Sequence, residues 1–346
     1  MNSRLILSAA LLCILLAPST PMHAANPICF DEVADCVDAR FADFWQRNDY
    51  HAISGQSGNA VRIFGYPIGP ARIEAVEGIA VLAQPFERAI LQQPLGNADP
   101  ANITLQMTGW ERLTQLNRAP TLPAQPPTRI LPSCRLFPET GFTLCGEFRN
   151  FWESHGINLD NERGYTDAER IALFGLPISD VNREPAADGS ASRYLTQWFE
   201  RARLQIDGVT GQIIVTPLGR DVMNHRPNPP PLPRNIGVMI NPTTLTAGSA
   251  LTARGSGYRN DRWVSVTVFQ ADGHSMLIAE QVNLTTGGFT DTYCYRTPND
   301  ALPGIWAIAF DGVDTGHRTI GFFRIVATGK PNSACPDLIE PLPRYR

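Results

Sequence analysis

Apolar side chains recur at helical spacing in two parts of the chain. Across residues 37–47 the pattern places Phe41, Phe44 and Trp45 on one face, which predicts an amphipathic helix. Residues 144–152 repeat this spacing, again ending in tryptophan. Because an aromatic face of this kind is usually buried, we expect both tryptophans to belong to a core.

Strand patterns follow each predicted helix, after a glycine-proline turn. Residues 79–89 and 193–204 each predict a strand, and residues 103–107 and 212–215 predict a shorter closing strand. Each segment therefore reads as a small α+β unit of about 80–90 residues, a size that folds alone with a modest core.

The two segments repeat one another in sequence. Four motif pairs occur in one order, at shifts of 107, 110, 113 and 110 residues, so the chain contains an internal duplication. The pairs are 41–45 (Phe-Ala-Asp-Phe-Trp) with 148–152 (Phe-Arg-Asn-Phe-Trp), 64–68 (Phe-Gly-Tyr-Pro-Ile) with 174–178 (Phe-Gly-Leu-Pro-Ile), 84–89 (Gln-Pro-Phe-Glu-Arg-Ala) with 197–202 (Gln-Trp-Phe-Glu-Arg-Ala), and 103–109 with 213–219.

A different pattern fills the last third of the chain. Short β-favouring runs alternate with glycine-rich turns, which predicts an antiparallel β-sandwich. The cysteine–tryptophan–cysteine core of antibody domains is absent, so the likeness is to the sandwich architecture. The fold class expected overall is a multidomain protein with two tandem small α+β repeat modules and a C-terminal all-β Ig-like sandwich.

Proline-rich stretches mark the boundaries between these units. Such stretches favour extended polyproline II structure, so we expect semi-rigid spacers that hold the modules apart. The predicted organisation is a signal peptide at 1–25, repeat module 1 at 26–118, a linker at 119–133, repeat module 2 at 134–223, a linker at 224–234, the Ig-like sandwich at 235–328 and a tail at 329–346.

The first 25 residues have the features of a secretion signal. Arg4 supplies the positive charge, and residues 5–17 form an apolar run that is too short to span a bilayer. No later stretch is long and apolar enough for a membrane helix. A net charge of −4 and the lack of a basic run argue against a nucleic-acid partner or an anionic lipid surface. We therefore expect an extracellular or cell-surface protein without a membrane span.

Cysteine usage agrees with export. Once the signal is removed, six cysteines remain, an even number that suits an oxidising compartment. Each repeat opens with its own close pair, so the duplication favours Cys29–Cys36, Cys134–Cys145 and Cys294–Cys335 among 15 possible pairings. A zinc site is the alternative, but the spacing is wrong and no histidine lies nearby in the sequence.

The order of the motifs resembles a module found in secreted proteins of Chloroflexota-type bacteria. That module combines a cysteine-flanked Phe-Pro-Glu-Thr-Gly with Phe-Gly-Tyr-Pro, Gln-Tyr-Phe-Glu-Arg and Leu-Gly-Arg. The second repeat carries close versions at 137–141, 174–177, 197–201 and 218–220. The first repeat departs from the pattern at 31–34, and neither repeat has the Gly-Gly that usually precedes Phe-Gly-Tyr-Pro.

More loosely, the repeats are similar to the LGFP repeats of actinobacterial envelope proteins, which associate with the cell wall. Residues 241–258 are similar to the opening of bacterial Ig-like surface modules. These resemblances imply a location at the envelope and carry no defined activity.

Two groups of residues are candidates for ligand contact. In the Phe-Glu-Arg element, predicted to lie on a strand, Arg88 and Arg201 either contact a ligand or pair with the preceding helix. Tyr66, Trp110 and Trp198 either stack on a ligand such as a sugar ring or pack in the core. A calcium loop over 158–169 has arginine where the turn requires glycine, so a solvated loop with a capping box at Thr166 is expected instead.

No familiar enzyme motif is present in the sequence, and the histidines are scattered singly. We expect no catalytic residue, metal or cofactor. The predicted function is a non-enzymatic secreted or cell-surface protein whose duplicated modules bind an envelope polysaccharide or a surface protein. The alternatives are an extracellular hydrolase acting on polysaccharide or cell wall, and a purely structural surface protein. The sequence leaves the oligomeric state open.

Overall fold

The computed structural model describes residues 26–49, 58–76, 79–97, 99–120, 130–187 and 189–337. The predicted signal peptide, most of the first proline-rich linker and the end of the tail lie outside these residues. Strands outweigh helices in the described chain, which is therefore mainly β.

The first repeat begins with two helices, continues through a four-stranded antiparallel sheet of order β1-β2-β3-β4, and ends with a third helix. Its elements are α1 (Ala39–Arg47), α2 (Asn59–Phe64), β1 (Arg72–Val76), β2 (Ile79–Pro85), β3 (Ile90–Pro94), a 3-10 turn (Pro100–Asn102), β4 (Thr104–Leu105) and α3 (Thr108–Gln115).

The second repeat has the same succession of helices and sheet strands, preceded by a short hairpin, and its sheet has the order β10-β9-β8-β7. Its elements are β5 (Cys134–Leu136), β6 (Thr143–Cys145), α4 (Gly146–Ser154), α5 (Asp167–Phe174), β7 (Asn182–Pro185), β8 (Arg193–Trp198), β9 (Arg203–Ile206), β10 (Ile213–Val215) and α6 (Leu218–His225).

Local sequence explains where these elements begin and end. The capping box predicted at Thr166 is present: its hydroxyl accepts from the Glu169 amide, and the Glu169 carboxylate accepts from the Thr166 amide. The carboxylate of Glu169 also accepts from the Leu159 amide, so this side chain closes the loop through main-chain contacts. Helices α2 and α5 end at Gly65 and Gly175, whose positive φ angles of 79° and 73° favour glycine.

The predicted long strands at 79–89 and 193–204 are wrong in one respect. The strands end at Pro85 and Trp198, where the Phe-Glu-Arg element forms a tight turn into the next strand of a hairpin. In the first repeat the Phe86 amide donates to the Ala89 carbonyl at 2.8 Å, and Phe199 repeats this bond to Ala202. The closing helices α3 and α6 lack a long apolar run and were not expected from the sequence.

The two repeats share one hydrophobic core, which corrects the expectation that proline-rich linkers hold them apart. Trp45, Phe64 and Phe86 of the first repeat belong to the same buried cluster as Trp152 and Phe199 of the second. A second cluster joins strands of the first sheet to Trp198 and helix α6. The two repeats therefore form one packed body.

The last third is a sandwich of a three-stranded sheet, β11-β13-β17, and a six-stranded sheet, β12-β19-β18-β14-β15-β16, around one core. Pairing is antiparallel except between β12 and β19, which corrects the all-antiparallel prediction. The strands are β11 (Val238–Asn241), β12 (Thr244–Thr246), β13 (Ala250–Gly255), β14 (Trp263–Phe269), β15 (Ser275–Thr285), β16 (Phe289–Thr290), β17 (Tyr293–Arg296), β18 (Gly304–Gly312) and β19 (Arg318–Val326).

The sandwich also packs against the first repeat. Ile73 of β1 lies in a buried cluster with Phe269, Ile305 and Phe322, and its amide donates to the Ala271 carbonyl at 3.2 Å. The second proline-rich stretch therefore does not act as a spacer between separate modules. It lies alongside the contact between the sandwich and the first sheet.

Three disulfides join Cys29 to Cys36, Cys134 to Cys145 and Cys294 to Cys335. These are the three pairs that the cysteine spacing predicts. The first two each lie just before the aromatic helix of a repeat. The third holds the tail on the sandwich, where Asn332 exchanges hydrogen bonds with the main chain of Ala250.

Candidate functional site

The glutamine of the repeated Gln-x-Phe-Glu-Arg motif is a structural clamp. Gln84 is fully buried and donates from Nε2 to the carbonyl oxygens of Cys36 and Gly69, at 2.8 and 3.1 Å. Gln197 makes the equivalent two bonds in the second repeat, at 2.9 and 3.1 Å. Each glutamine thus ties the disulfide-bearing segment and the glycine-proline turn to the sheet.

The glutamate of the motif holds the glycine-proline turn. An Oε2 atom of Glu87 accepts from the Tyr66 amide at 3.3 Å, and Glu200 accepts from the Leu176 amide at 3.0 Å. The neighbouring arginine lies beside each carboxylate, with Arg88 Nη1 3.4 Å from Glu87 Oε2. The prediction that this element lies on a strand is wrong, because the glutamate and the arginine both belong to a turn.

The arginine of the motif donates hydrogen bonds to the main chain of the other repeat. Arg88 donates from Nε to the Val215 carbonyl at 3.2 Å, and Arg201 donates from Nε to the Leu105 carbonyl at 3.1 Å. Each also donates from Nη1 to a carbonyl of the preceding helix, Arg88 to Val61 in α2 at 3.3 Å. Burial lowers the pKa of Arg201, although the charge of Glu200 opposes the shift.

The first turn of each closing helix completes this reciprocal contact. The Gly109 amide donates to the Glu200 carbonyl at 2.9 Å, and the Arg220 amide donates to the Glu87 carbonyl at 3.0 Å. A Cβ on Gly109 would lie 1.9 Å from the Phe199 carbonyl oxygen, so only glycine fits. The motifs shared by the two repeats therefore build the interface between them.

Three of the five candidate ligand contacts have hydrogen-bonding partners within the protein. Arg88 and Arg201 bond to the main chain of the opposite repeat, as described above. Trp198 is 1% exposed, and its indole donates to both carboxylate oxygens of Glu184, at 3.1 and 3.0 Å. Tyr66 is half-buried, and its ring makes an edge-to-face contact with that of Phe30, with the ring centroids 5.1 Å apart.

The fifth candidate, Trp110, lines a cleft of about 760 Å³. The cleft lies between strand β1 and helix α3 of the first repeat, the second proline-rich stretch and the edge of the sandwich. Its walls are largely apolar, which is usual for ligand-binding clefts of this size. The residues that line it are Arg72, Ile73, Glu74, Ala75, Val76, Gln106, Met107, Trp110, Glu111, Thr114, Arg226, Pro227, Pro230, Pro231, Leu232, Pro233 and Ile305.

Arg226 organises the polar base of the cleft. It stands just after helix α6 and donates to Glu111 from Nε and Nη2, both at 2.6 Å, in a bidentate pair. Its Nη1 donates to Glu74 at 3.1 and 3.0 Å, and its Nη2 donates to Gln106 Oε1 at 2.7 Å. No sequence pattern points to this residue, because its acidic partners lie 115 and 152 positions earlier.

Glu74 is held as a carboxylate. Burial raises the pKa of Glu74, but the charges of Arg226 and Arg72 and the hydrogen bond from Gln106 outweigh it, so the pKa lies below the usual 4.5. Its Oε1 accepts from Arg72 Nε at 2.9 Å, and its Oε2 accepts from Gln106 Nε2 at 3.1 Å. A general acid needs the opposite shift, towards a higher pKa.

Within the part of the chain that the structure describes, no three histidine, cysteine or acidic side chains are grouped so that they could hold a metal ion. Over the same residues, none of the helices has both the length and the apolar character needed to cross a bilayer. No protein-family model and no curated protein matches this chain.

Proposed function

We propose that the protein is an exported, non-enzymatic cell-surface protein that binds a glycan of the cell envelope in the cleft beside Trp110. The observation that carries this proposal is the cleft itself, in which Trp110 and a proline-rich wall stand over a base of paired carboxylate, amide and guanidinium groups. Sugars present apolar CH faces and polar hydroxyl rims, so a site with both kinds of surface suits them.

Export has separate support. The predicted signal peptide indicates secretion, and three disulfides are typical of proteins that fold in an oxidising compartment. The resemblance to envelope repeats and Ig-like surface modules points to the same location. We propose that the two α+β repeats arose by duplication and that the sandwich is an Ig-like module; the matching element orders and the reciprocal Arg88 and Arg201 contacts support the duplication.

Binding is favoured over hydrolysis by the state of the two acidic residues in the cleft. A glycosidase needs one carboxyl group that carries a proton near neutral pH and a second that acts as base or nucleophile. Glu74 has a lowered pKa, and both oxygens of Glu111 accept hydrogen bonds from Arg226. Glu74 is therefore unsuited to the role of the protonated acid, and the carboxylate of Glu111 is engaged with a structural partner.

Two assays on the same preparation test the proposal. The first measures retention of the protein on purified cell wall and on isolated envelope polysaccharides, and the second screens for glycosidase and peptidase activity. Trp110→Ala removes the partly buried indole that lines the cleft, and loss of a central tryptophan typically weakens binding by about 2 kcal/mol, roughly thirtyfold. Arg220→Ala is a matched control, because Arg220 is the third residue of α6 as Trp110 is of α3, and it does not line the cleft.

We expect retention by the wild type and the control, loss in Trp110→Ala, and no turnover. Hydrolysis abolished by Glu111→Gln would establish the alternative of a hydrolase. Retention of envelope protein in place of polysaccharide would replace the glycan with a protein partner, and a blank result in both assays would favour a purely structural role.

A further inference from the structure

The charges of the cleft are mutually neutralised. Among the described residues that line it, the ionised side chains are two arginines, Arg72 and Arg226, and two glutamates, Glu74 and Glu111. All four belong to one hydrogen-bonded network, with Arg226 bonded to both glutamates and Arg72 bonded to Glu74 at 2.9 Å. A ligand entering the cleft therefore meets a local net charge of zero from these groups.

The donors of Arg226 are already occupied. All three guanidinium nitrogens donate: Nε to Glu111, Nη2 to Glu111 and Gln106, and Nη1 to Glu74 and to Met223 Sδ at 3.5 Å. The side chain is only 17% exposed. A phosphate or carboxylate group on a ligand would have to displace one of these charge-assisted bonds and leave a buried glutamate without its partner, which is costly.

The acceptors of Glu74 are occupied in the same way. A carboxylate offers about four lone-pair positions, and Glu74 receives four bonds: Arg72 and Arg226 at Oε1, and Gln106 and Arg226 at Oε2. A cationic ligand thus finds no free carboxylate there. The two most buried charged groups of the cleft, Arg226 and Glu74, therefore have their hydrogen-bonding positions taken by protein partners.

Uncharged hydrogen-bonding groups lie at the rim. The Ile73 amide points away from strand β2, to Ala271, so the alternation of an antiparallel edge strand directs the amide and carbonyl of Ala75 outward as well. Ala75 is exposed. The exposed Thr114 hydroxyl donates to the Trp110 carbonyl at 2.9 Å and keeps its acceptor capacity.

We infer that the cleft selects an uncharged glycan, a polymer or oligomer of neutral sugars, over one bearing uronate or phosphate groups. The inference rests on the proposed function, since it specifies the ligand of the same site. Ring hydroxyls bond to the neutral rim groups, the CH face packs on Trp110 and the proline-rich wall, and the paired charges beneath exclude ionised substituents.

Equilibrium binding to two sets of soluble polysaccharides tests the inference. The neutral set contains glucans, mannans and galactans, and the acidic set contains polyuronates and glycerol-phosphate polymers. We expect neutral polymers to bind at least tenfold more tightly. Their Kd should change less than about twofold between 0.05 and 0.5 M NaCl, because screening acts on ligand charge that these polymers lack. Glu111→Gln leaves the base with an excess positive charge and should gain affinity for acidic polymers at low salt.

The outcomes separate the two proposals. Preference of the wild type for acidic polymers, abolished by Trp110→Ala and weakened by salt, would overturn the neutral selectivity and leave the glycan-binding site standing. Binding that is equal in Trp110→Ala and Arg220→Ala, or absent for both sets of polymers, would overturn the site itself and the selectivity with it.

Discussion

Arg88 in the first repeat donates from Nε to the main-chain carbonyl of Val215 in the second, across 127 positions of the chain. Arg201 returns an equivalent bond to Leu105. The arginine of each repeated motif is therefore a connection between repeats, and the recurrence of the motif reflects the need to build the same interface from both sides.

Replacing Arg88 with alanine should lower the free energy of unfolding by about 2–3 kcal/mol, because the change leaves the Val215 and Val61 carbonyls without their charged donor. Arg88→Lys should recover little, since lysine lacks the fork that reaches both carbonyls. Urea unfolding monitored by tryptophan fluorescence measures the effect. Arg163→Ala, at an exposed loop position, serves as the control and should change stability by less than about 0.5 kcal/mol. A stability unchanged in Arg88→Ala would contradict the role as an interface residue.

Gly219→Ala tests the closeness of the two repeats. The added Cβ would lie 2.2 Å from the Phe86 carbonyl oxygen, so helix α6 must move away from the first repeat at a cost of about 1–3 kcal/mol or more. Gly208→Ala is the matched control. Its added Cβ would lie 3.7 Å from the nearest atom, on the Tyr194 ring, which is an ordinary van der Waals distance. Thermal unfolding should separate the two variants clearly, and equal melting temperatures would show that the repeats are not packed as described.

The sequence predicts those parts of the fold that depend on local pattern. The aromatic face of α1, the capping box at Thr166 and the division into α+β segments and a sandwich follow from spacing and turn chemistry, and the cysteine pairs follow from repetition. The positions of the hairpins were missed because Phe-Glu-Arg contains no glycine or proline to signal a turn, and its turn geometry depends on bonds to Tyr66 and Leu176 in the glycine-proline loops.

Long-range packing explains the other corrections. Proline content predicts an extended linker, yet Arg226 at the start of that linker is bound by Glu74, 152 residues earlier. The sequence left Trp198 open between ligand stacking and core packing, because its hydrogen-bonding partner, Glu184, lies on the neighbouring strand. Of the five candidate contacts, Trp110 alone lines the cleft, which forms only when the first repeat, the linker and the sandwich come together.

Protonation of Glu74 should couple stability to pH. Its pKa in the folded protein lies below the ordinary value of 4.5, so its contribution to stability is fully present above pH 4.5 and is lost as the pH falls through the lower folded value. The stability difference between wild type and Glu74→Gln should therefore shrink on acidification from pH 6 to pH 3. Carbon-13 NMR titration of the Glu74 carboxyl group provides the direct check, and a pKa above 4.5 would instead suit a general acid.

Non-reducing peptide mapping should recover Cys29–Cys36, Cys134–Cys145 and Cys294–Cys335 and no others among these six residues. Each short loop constrains the unfolded chain, so replacing Cys134 and Cys145 together by serine should cost about 2–3 kcal/mol of stability. A bond between the two repeats would contradict the arrangement, because each pair lies within its own repeat.

We propose that the repeated motifs stabilise the fold and that the unrepeated Trp110 contacts the ligand. The most direct test measures two quantities in parallel on Arg88→Ala and Trp110→Ala. These are the Kd for an envelope polysaccharide and the free energy of unfolding. We predict that Arg88→Ala loses about 2–3 kcal/mol of stability while its folded form keeps the wild-type Kd, and that Trp110→Ala raises Kd roughly thirtyfold. Loss of binding in folded Arg88→Ala, with wild-type binding in Trp110→Ala, would contradict the claim.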